Sequence, residues 1–452
     1  MRLRNLTRRR EIGANCYLLE SGNCRYVLDA GMHPKQVGMD ALPNYAAVPY
    51  DNVEAVLITH AHHDHIGSLP ALQRKLPNTP VYMTEITGEI GAAMLHNSVN
   101  VMSSQRLELN ISEYPFFTHA EVDEVKRLWN YVNLRRKVEL PGDADIDATF
   151  FDAGHILGSA GILLREGDKS LFYTGDVCFE PQTLSMAADF PTEGVDVLVM
   201  ETTRGDQQRP ADYSRKAEKE RLGKLICDTF DATGSVLIPV FALGKTQEVM
   251  LMLHELHTHD LIPEMPLFIG GLSTKVTLLH DQYAEKSRRN YPGFSLLRDI
   301  NMLVAQRRKK REIQYNTRCI YALSSGMMSE NTVSNQFAQT FLENPRNSVA
   351  FVGYTDPDSP GARVRKAKPG EKVQLDKHRL PVEVNSRIES FDLSAHATRE
   401  SLLNYAITLR PKKILLVHGD ESAQLWFEAK LKEALPQTEI VRPDPEGWVE
   451  LW

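Results

Sequence analysis

At 452 residues the chain exceeds what one hydrophobic core serves, so two domains are expected, one inserted in the other. Its 42% hydrophobic and 25% charged residues exclude a disordered chain, and no apolar run reaches the roughly 18 residues needed to span a bilayer, so no membrane association is expected. The net charge of −7 does not by itself suggest a nucleic-acid binder, but residues 204–372 hold 25 Lys+Arg against 19 Asp+Glu; a basic middle in an acidic frame suits an anionic substrate, with ordinary solvated surface as the alternative.

In chain order, short β-type runs come first, separated by turn residues: CYLLE, RYVLDAG, EAVLITH, PVYMT, TFFDAGH, AGILLRE, SLFYTGD and VDVLVMET. Most end in Asp, His or Glu beside Gly or Thr, where loops on a rigid scaffold present chemistry. SLPALQRKL and AEVDEVKRLWNYVN (120–133) read as helices between them, giving an α/β layered fold. From residue 204 the pattern becomes strand–helix alternation, the mark of a parallel sheet: SRKAEKERLGKLICDTF and GKTQEVMLMLHELH as helices, GSVLIPVF, CIYALSSG and SVAFVGY as strands. Near 376 short strands with terminal histidines return, in VEVNSRIESFDLSAH and KKILLVHGD. The basic opening MRLRNLTRRREIGANC has no long apolar segment after it and is not read as a secretory signal. Five scattered cysteines without CxxC spacing suit reduced thiols, so a cytoplasmic setting is expected.

The densest chemistry is VLITHAHHDHIG at 56–67. His60, His62 and Asp64 alternate, so an extended segment points them to one side, and His65 follows as the chain turns into the next helix. Imidazole and carboxylate are ligands for Zn(II) and similar ions, with Mn(II) as an alternative. His63 is the odd one out and is expected to face solvent. His155 in DAGHILGSAG, Asp176 in LFYTGDV and His418 in LLVHGD stand at further strand ends beside glycine. Together they complete a two-metal site: His60, His62 and His155 on one ion, Asp64, His65 and His418 on the other, Asp176 bridging. Two metals about 3.5–4 Å apart can hold a hydroxide between them and stabilise the attacking and leaving oxygens, which fits hydrolysis of a phosphodiester, an ester or a lactam. ALGKTQ resembles the end of a phosphate-binding P-loop, but Pro239 stands where its first glycine belongs.

These residues, with Asp29 in VLDAG, Glu201 in METTRG, LIPVFALGKTQE, SSGMM, FVGY and His396 in FDLSAHATRE, resemble the metallo-β-lactamase fold and, within it, the β-CASP nucleases. The family's motif A acid matches Glu201, its motif B histidine His396, and its motif C histidine His418. The resemblance implies an αββα metallo-β-lactamase sandwich split between 1–203 and 376–452, with a β-CASP α/β domain of mainly parallel sheet inserted at 204–375 and the active site in the cleft between them. It implies RNA or DNA as substrate, similar to the ribonucleases related to the pre-mRNA 3′-end endonuclease. No KH-type extension precedes the first motif, unlike the archaeal factors.

The expected activity is zinc-dependent cleavage of single-stranded RNA, endonucleolytic, with 5′→3′ exonucleolytic cutting as a second mode. Asp64 would take a proton from the nucleophile. His396, held protonated by Glu201, would protonate the leaving oxygen. Asp29 is expected to orient a ligand histidine. Ser325 and Gly326 in SSGMM, and Arg363 in SPGARV, are candidate phosphate contacts, and the RRKKR run at 307–311 is a solvated helix face or an RNA guide. A DNA nuclease of the repair type and a non-catalytic scaffold subunit are the rivals; His418 favours RNA over DNA, and the intact ligand set speaks against a scaffold. A homodimer and a processing complex both remain open. The chain departs from the family at Arg204, where a tyrosine is usual, at Met327 in place of a glycine, and at GGLSTK (270–275), which replaces a small DSPLA-like stretch.

Overall fold

The computed structural model describes residues 1–300, 303–305 and 313–452; the RRKKR run lies outside the described residues. The chain divides into two compact units. Met1–Pro181, Ala187–Arg209 and His396–Trp452 form the first, and Gln182–Met186 with Pro210–Ala395 the second. The second unit runs past residue 375, where the sequence suggested its end, because strand Arg387–Ser390 pairs in parallel with Ser348–Phe351 of its sheet.

The first unit holds two seven-stranded sheets. One runs Trp448–Glu450, Arg2–Asn5, Tyr17–Ser21, Cys24–Leu28, Val53–Leu57, Val81–Thr84, Trp129–Val132, antiparallel up to Cys24–Leu28 and parallel from there on. The other runs Glu439–Val441, Lys413–Val417, Val197–Glu201, Lys169–Tyr173, Ala160–Glu166, Ile146–Asp152, Lys137–Glu139. It is parallel across its first four strands and antiparallel across its last four.

Strand side chains alternate between faces, and here both faces are apolar. Tyr17, Leu19, Tyr26, Leu28 and Leu57 of one sheet share a core with Phe150, Ile162, Leu171, Tyr173, Val199 and Val417 of the other. Their neighbours Leu18, Val27, Val56 and Ile58 face a second core, and Leu163, Phe172, Leu198 and Leu416 a third. Helix residues Leu95, Val99 and Val122 line the second; Leu402, Ala406, Phe427 and Leu431 line the third. The result is an αββα sandwich.

Two local elements differ from the sequence expectation. Trp129–Val132 is a strand, after a helix that ends at Val125 and a 3-10 turn at Lys126–Leu128. Val122, Val125 and Trp129 have helical spacing and share one core, so the periodicity runs past the true helix end. The longest helix, Glu85–Leu109, is absent from the elements expected above. Its buried side interleaves Ile90, Leu95, Val99 and Met102 with small and polar residues, Gly88 pressed against the Tyr131 ring and Gly91 against Ile66.

The second unit has a six-stranded sheet in the order Leu303–Ala305, Pro266–Phe268, Ile320–Leu323, Val236–Pro239, Ser348–Phe351, Arg387–Ser390, parallel throughout. Val236, Ile238, Ile320 and Ala350 face one core; Leu237, Tyr321, Val349 and Phe351 face the other. Among the described residues no helix is long and apolar enough to cross a membrane.

Candidate metal centre

In the first unit, the strands that lead to chemistry end at one edge. Cys24–Leu28 is followed by Asp29 and Val53–Leu57 by the histidine loop. In the second sheet Ile146–Asp152, Lys169–Tyr173, Val197–Glu201 and Lys413–Val417 lead to or end in His155, Asp176, Glu201 and His418. Loops beyond the carboxyl ends of parallel strands are where α/β sheets place ligands. Asp29 and His418 both take left-handed backbone, φ 58° and 47°, as the chain leaves its strand.

Backbone hydrogen bonds fix the histidine loop. Ala30 N donates to His65 O (2.8 Å), Met32 N to His63 O (2.9 Å) and Asn15 N to Asp64 O (2.9 Å). Gly31 sits so close that a Cβ there would lie 1.8 Å from the Asp64 carbonyl oxygen.

The expected ligands come together as two groups, His60, His62, His155 and Asp176, and Asp64, His65 and His418; within each, the ligand atoms lie within 4.8 Å of one another. His62 Nδ1 is 3.2 Å from His60 Nε2 and 3.1 Å from His155 Nε2. Asp176 divides its carboxylate between the groups. Oδ2 lies 3.5 Å from His60 Nε2 and 3.6 Å from His155 Nε2; Oδ1 lies 3.3 Å from His65 Nε2 and 3.2 Å from His418 Nδ1. Asp64 Oδ2 lies 3.3 Å from His418 Nε2. Asp176 Oδ1 is buried yet has no hydrogen-bond partner. A buried carboxylate oxygen in that state, ringed by imidazole nitrogens, is what a cation between them would satisfy. The donor set of imidazoles and carboxylates without thiolate suits zinc and its neighbours.

Ring protonation follows from the hydrogen bonds. The Asp29 carboxylate accepts from Thr59 N (2.8 Å), Thr59 Oγ1 (2.9 Å), Tyr173 OH (2.8 Å) and His65 Nδ1 (2.7 Å). His65 Nδ1 therefore carries a proton, and Nε2 faces Asp176. Thr59 donates its hydroxyl proton to Asp29, so its oxygen accepts from His60 Nδ1 at 3.0 Å, and His60 Nε2 presents a lone pair. Burial pulls the His60 and His62 pKa values down, keeping both rings neutral. Burial also acts on His65, but the Asp176 and Asp29 carboxylates outweigh it and hold it well above the usual histidine value. Burial opposes ionisation of Asp64, yet the His418 hydrogen bond and the nearby His65 hold its carboxyl below the usual range. His63 is half-buried rather than solvent-facing: its ring packs where a Gly67 Cβ would stand, and burial lowers its pKa.

Glu201 and His396 adjoin the centre, with His396 Nδ1 3.2 Å from Glu201 Oε2 and its ring 4.5 Å from that of His155. Val177 clips the pair together: its N–H donates to Glu201 (2.7 Å) and its carbonyl accepts from Ala397 N (2.7 Å). Burial lowers the His396 pKa, but the Glu201 carboxylate more than offsets it and the net direction is up.

Ser325, Gly326 and Arg363 belong to the second unit. Ser325 Oγ accepts from Ser329 N (3.0 Å), and Gly326 packs on Phe241. Arg363 is exposed and donates to the carbonyls of Gln374 and Asp358, both at 2.9 Å. Sequence reasoning missed Thr59, Tyr173, Val177 and Thr203, whose hydroxyl lies 3.0 Å from His418 Nδ1. Thr59 beside His60, Thr203 in METTRG and Val177 beside Asp176 stand within named motifs, but only the hydroxyls of Thr59 and Thr203 carry a signal in their residue type.

Three family profiles match the chain: "Metallo-beta-lactamase superfamily" over residues 9–226, "Beta-Casp domain" over 246–364, and "Zn-dependent metallo-hydrolase RNA specificity domain" over 381–443. Among curated proteins, the chain is 34% identical over 430 residues to the transcription termination factor FttA of Methanothermobacter thermautotrophicus, covering 91% of this chain and 66% of that protein. It is 27% identical to an RNase J-like protein of Methanocaldococcus jannaschii, with 94% of each covered. It is 26% identical to cleavage and polyadenylation specificity factor 73 of Drosophila melanogaster, covering 97% of this chain and 63% of that one. The chain thus spans about two thirds of the length of the FttA relative.

Proposed function

Since the chain belongs to the metallo-β-lactamase superfamily and carries a Beta-Casp domain, we propose that it is a zinc-dependent ribonuclease that hydrolyses RNA phosphodiester bonds. The observation that carries the reading is the Asp176 carboxylate, one oxygen toward each histidine group, with the Glu201–His396 pair beside it. His60, His62 and His155 would hold one zinc ion, Asp64, His65 and His418 a second, with Asp176 shared. Bound there, the ions supply Lewis acidity toward a phosphoryl oxygen and make water acidic enough to attack near neutral pH.

The chain's own groups handle the protons. Asp64 is ionised and placed to accept the proton released by the attacking water. Asp29 and Thr59 hold Nδ1 of His65 and of His60 and so aim Nε2 of each ring inward. His396 is kept protonated by Glu201 and gives its proton to the leaving ribose oxygen as the P–O bond breaks. The RNA specificity profile and the names of the RNase J-like and cleavage-factor relatives support RNA as the polymer.

The test is cleavage of matched single-stranded RNA and DNA, labelled at either end, by zinc-supplied protein. Internal cuts in RNA are expected, abolished by Asp64→Ala and slowed about 10²–10⁴-fold by His396→Ala, the usual value of a general acid. Cleavage of DNA alone would replace the reading with a DNA nuclease; zinc binding without any cutting would overturn it.

A further inference from the structure

Several cations of the second unit have carboxylate partners. On helix Arg215–Asp231, Lys216 lies 3.8 Å from Glu220, Lys219 2.6 Å from Glu255, Arg221 2.9 Å from Glu218 and Lys224 3.1 Å from Asp228. One continuous stretch lacks such partners throughout. Arg363, Arg365, Lys366, Lys368 and Lys372 are all exposed, and among the described residues none has a carboxylate within ion-pair distance. The acid in their midst, Glu371, is turned to the backbone, where it accepts from Lys368 N at 2.9 Å.

The stretch is built as one ridge. Helix Pro360–Lys366 starts at Ser359, whose side chain accepts from Ala362 N, and buries Gly361, Ala362 and Val364, leaving its basic residues outward. The chain then turns at Gly370 (φ 84°) into strand Glu371–Val373, paired with Val382–Val384. Val373 is buried, so Lys372 and Gln374 face the other way. Arg363 ties helix to strand by donating to the Gln374 carbonyl at 2.9 Å, and Arg365 is steadied by Ser390 Oγ at 2.7 Å.

We propose that Arg363–Lys372 is a track for the phosphate backbone of single-stranded RNA. The proposal rests on the ribonuclease reading and extends it to where the polymer is held. The carboxylates around the ridge, Glu371, Glu383 across the strand pair from Lys372 and Asp392 near Arg365, form no ion pair with it, so its cations are left to meet phosphates. Each phosphate that a lysine or arginine neutralises frees a cation condensed on the RNA, and that release drives binding. The residue types favour phosphates over bases: lysines on long stems recognise charge and carry no fixed donor geometry.

The test is the salt dependence of binding, by fluorescence anisotropy, of a labelled single-stranded RNA with phosphorothioate links, which slow cutting. Wild type is compared with Lys366→Ser/Lys368→Ser/Lys372→Ser and with Lys216→Ser/Lys219→Ser/Lys224→Ser, which removes as much charge from paired positions. All three should melt at the same temperature. The ridge variant should bind several-fold more weakly at low salt. Its slope of log K against log[salt] should be shallower by about 2, from roughly 0.7 for each phosphate that a lysine no longer neutralises. The control should keep the wild-type slope. Equal slopes for all three proteins, or an equal weakening in both variants, would overturn the track while leaving the ribonuclease reading intact. Ridge-dependent binding without cleavage of unmodified RNA would keep the track and overturn the ribonuclease. No RNA binding by wild type would overturn both.

Discussion

Asp29 stands 2.7 Å from Nδ1 of His65, a residue 36 positions further on, and neither side chain reaches solvent. The same carboxylate takes the Thr59 hydroxyl proton in a hydrogen bond and so sets the tautomer of His60. One acid thus orients a ring in each of the two ligand groups. Asp29→Asn should lower zinc affinity about 10–100-fold, the usual effect of removing such a partner, and should do so at both sites. Titration calorimetry on the stripped protein checks it; unchanged affinity at the site containing His60 would mean that Thr59 does not carry the effect.

Gly31 offers a sharper test of the loop than any ligand. Its missing Cβ makes room for the Asp64 carbonyl, which also accepts from Asn15 N. Gly31→Ala should displace the histidine loop, costing on the order of 2–4 kcal/mol and lowering zinc content, although no ligand is changed. Melting temperature and bound zinc, measured on the same preparation, should fall together.

Metal removal should be felt by the fold. Buried imidazoles crowd around Asp176, whose Oδ1 has no hydrogen bond, and a cation binds that arrangement and not the unfolded chain. Chelation should lower the melting temperature and zinc should restore it. Zinc at a hundred times its dissociation constant would contribute about 2.7 kcal/mol.

In the second unit, His280 is buried on helix Leu272–Gln282 and donates through Nδ1 to the Val276 carbonyl at 2.9 Å. Burial lowers its pKa to about 4. The unfolded chain takes up this proton below about pH 6.5 and the folded chain does not, so stability is intact above pH 6.5 and falls as pH drops toward 4. The loss should reach about 3 kcal/mol. His280→Gln should flatten that part of the urea-stability profile; an unchanged profile would show that His280 does not titrate there.

How much of this is legible in the sequence depends on distance along the chain. The His60–His65 part of the cluster is readable because one extended turn presents these side chains together, and His155, Asp176 and His418 because each ends a short apolar run beside glycine. The supports are not. Tyr173 reaches Asp29 across 144 positions, and Val177 joins Glu201 to Ala397 through backbone groups that any residue possesses. Helix Glu85–Leu109 is hard to read because its buried side interleaves Ile90, Leu95, Val99 and Met102 with Thr87, Gly88, Gly91 and Ser98, which dilutes the apolar period. The insert's end is misplaced in the sequence reading because strand Arg387–Ser390, with no fully buried residue, carries no core pattern to tie it to the second sheet.

Strand Lys413–Val417 lies in the interior of its sheet, between Val197–Glu201 and Glu439–Val441, and delivers His418. Until it docks, Val197–Glu201 is an open edge and the site lacks a ligand. A ribosome must therefore deliver more than nine tenths of these 452 residues before the centre can exist. Any product that stops short of Lys413–Val417 leaves Val197–Glu201 unpaired on that side and lacks His418 beside Asp176.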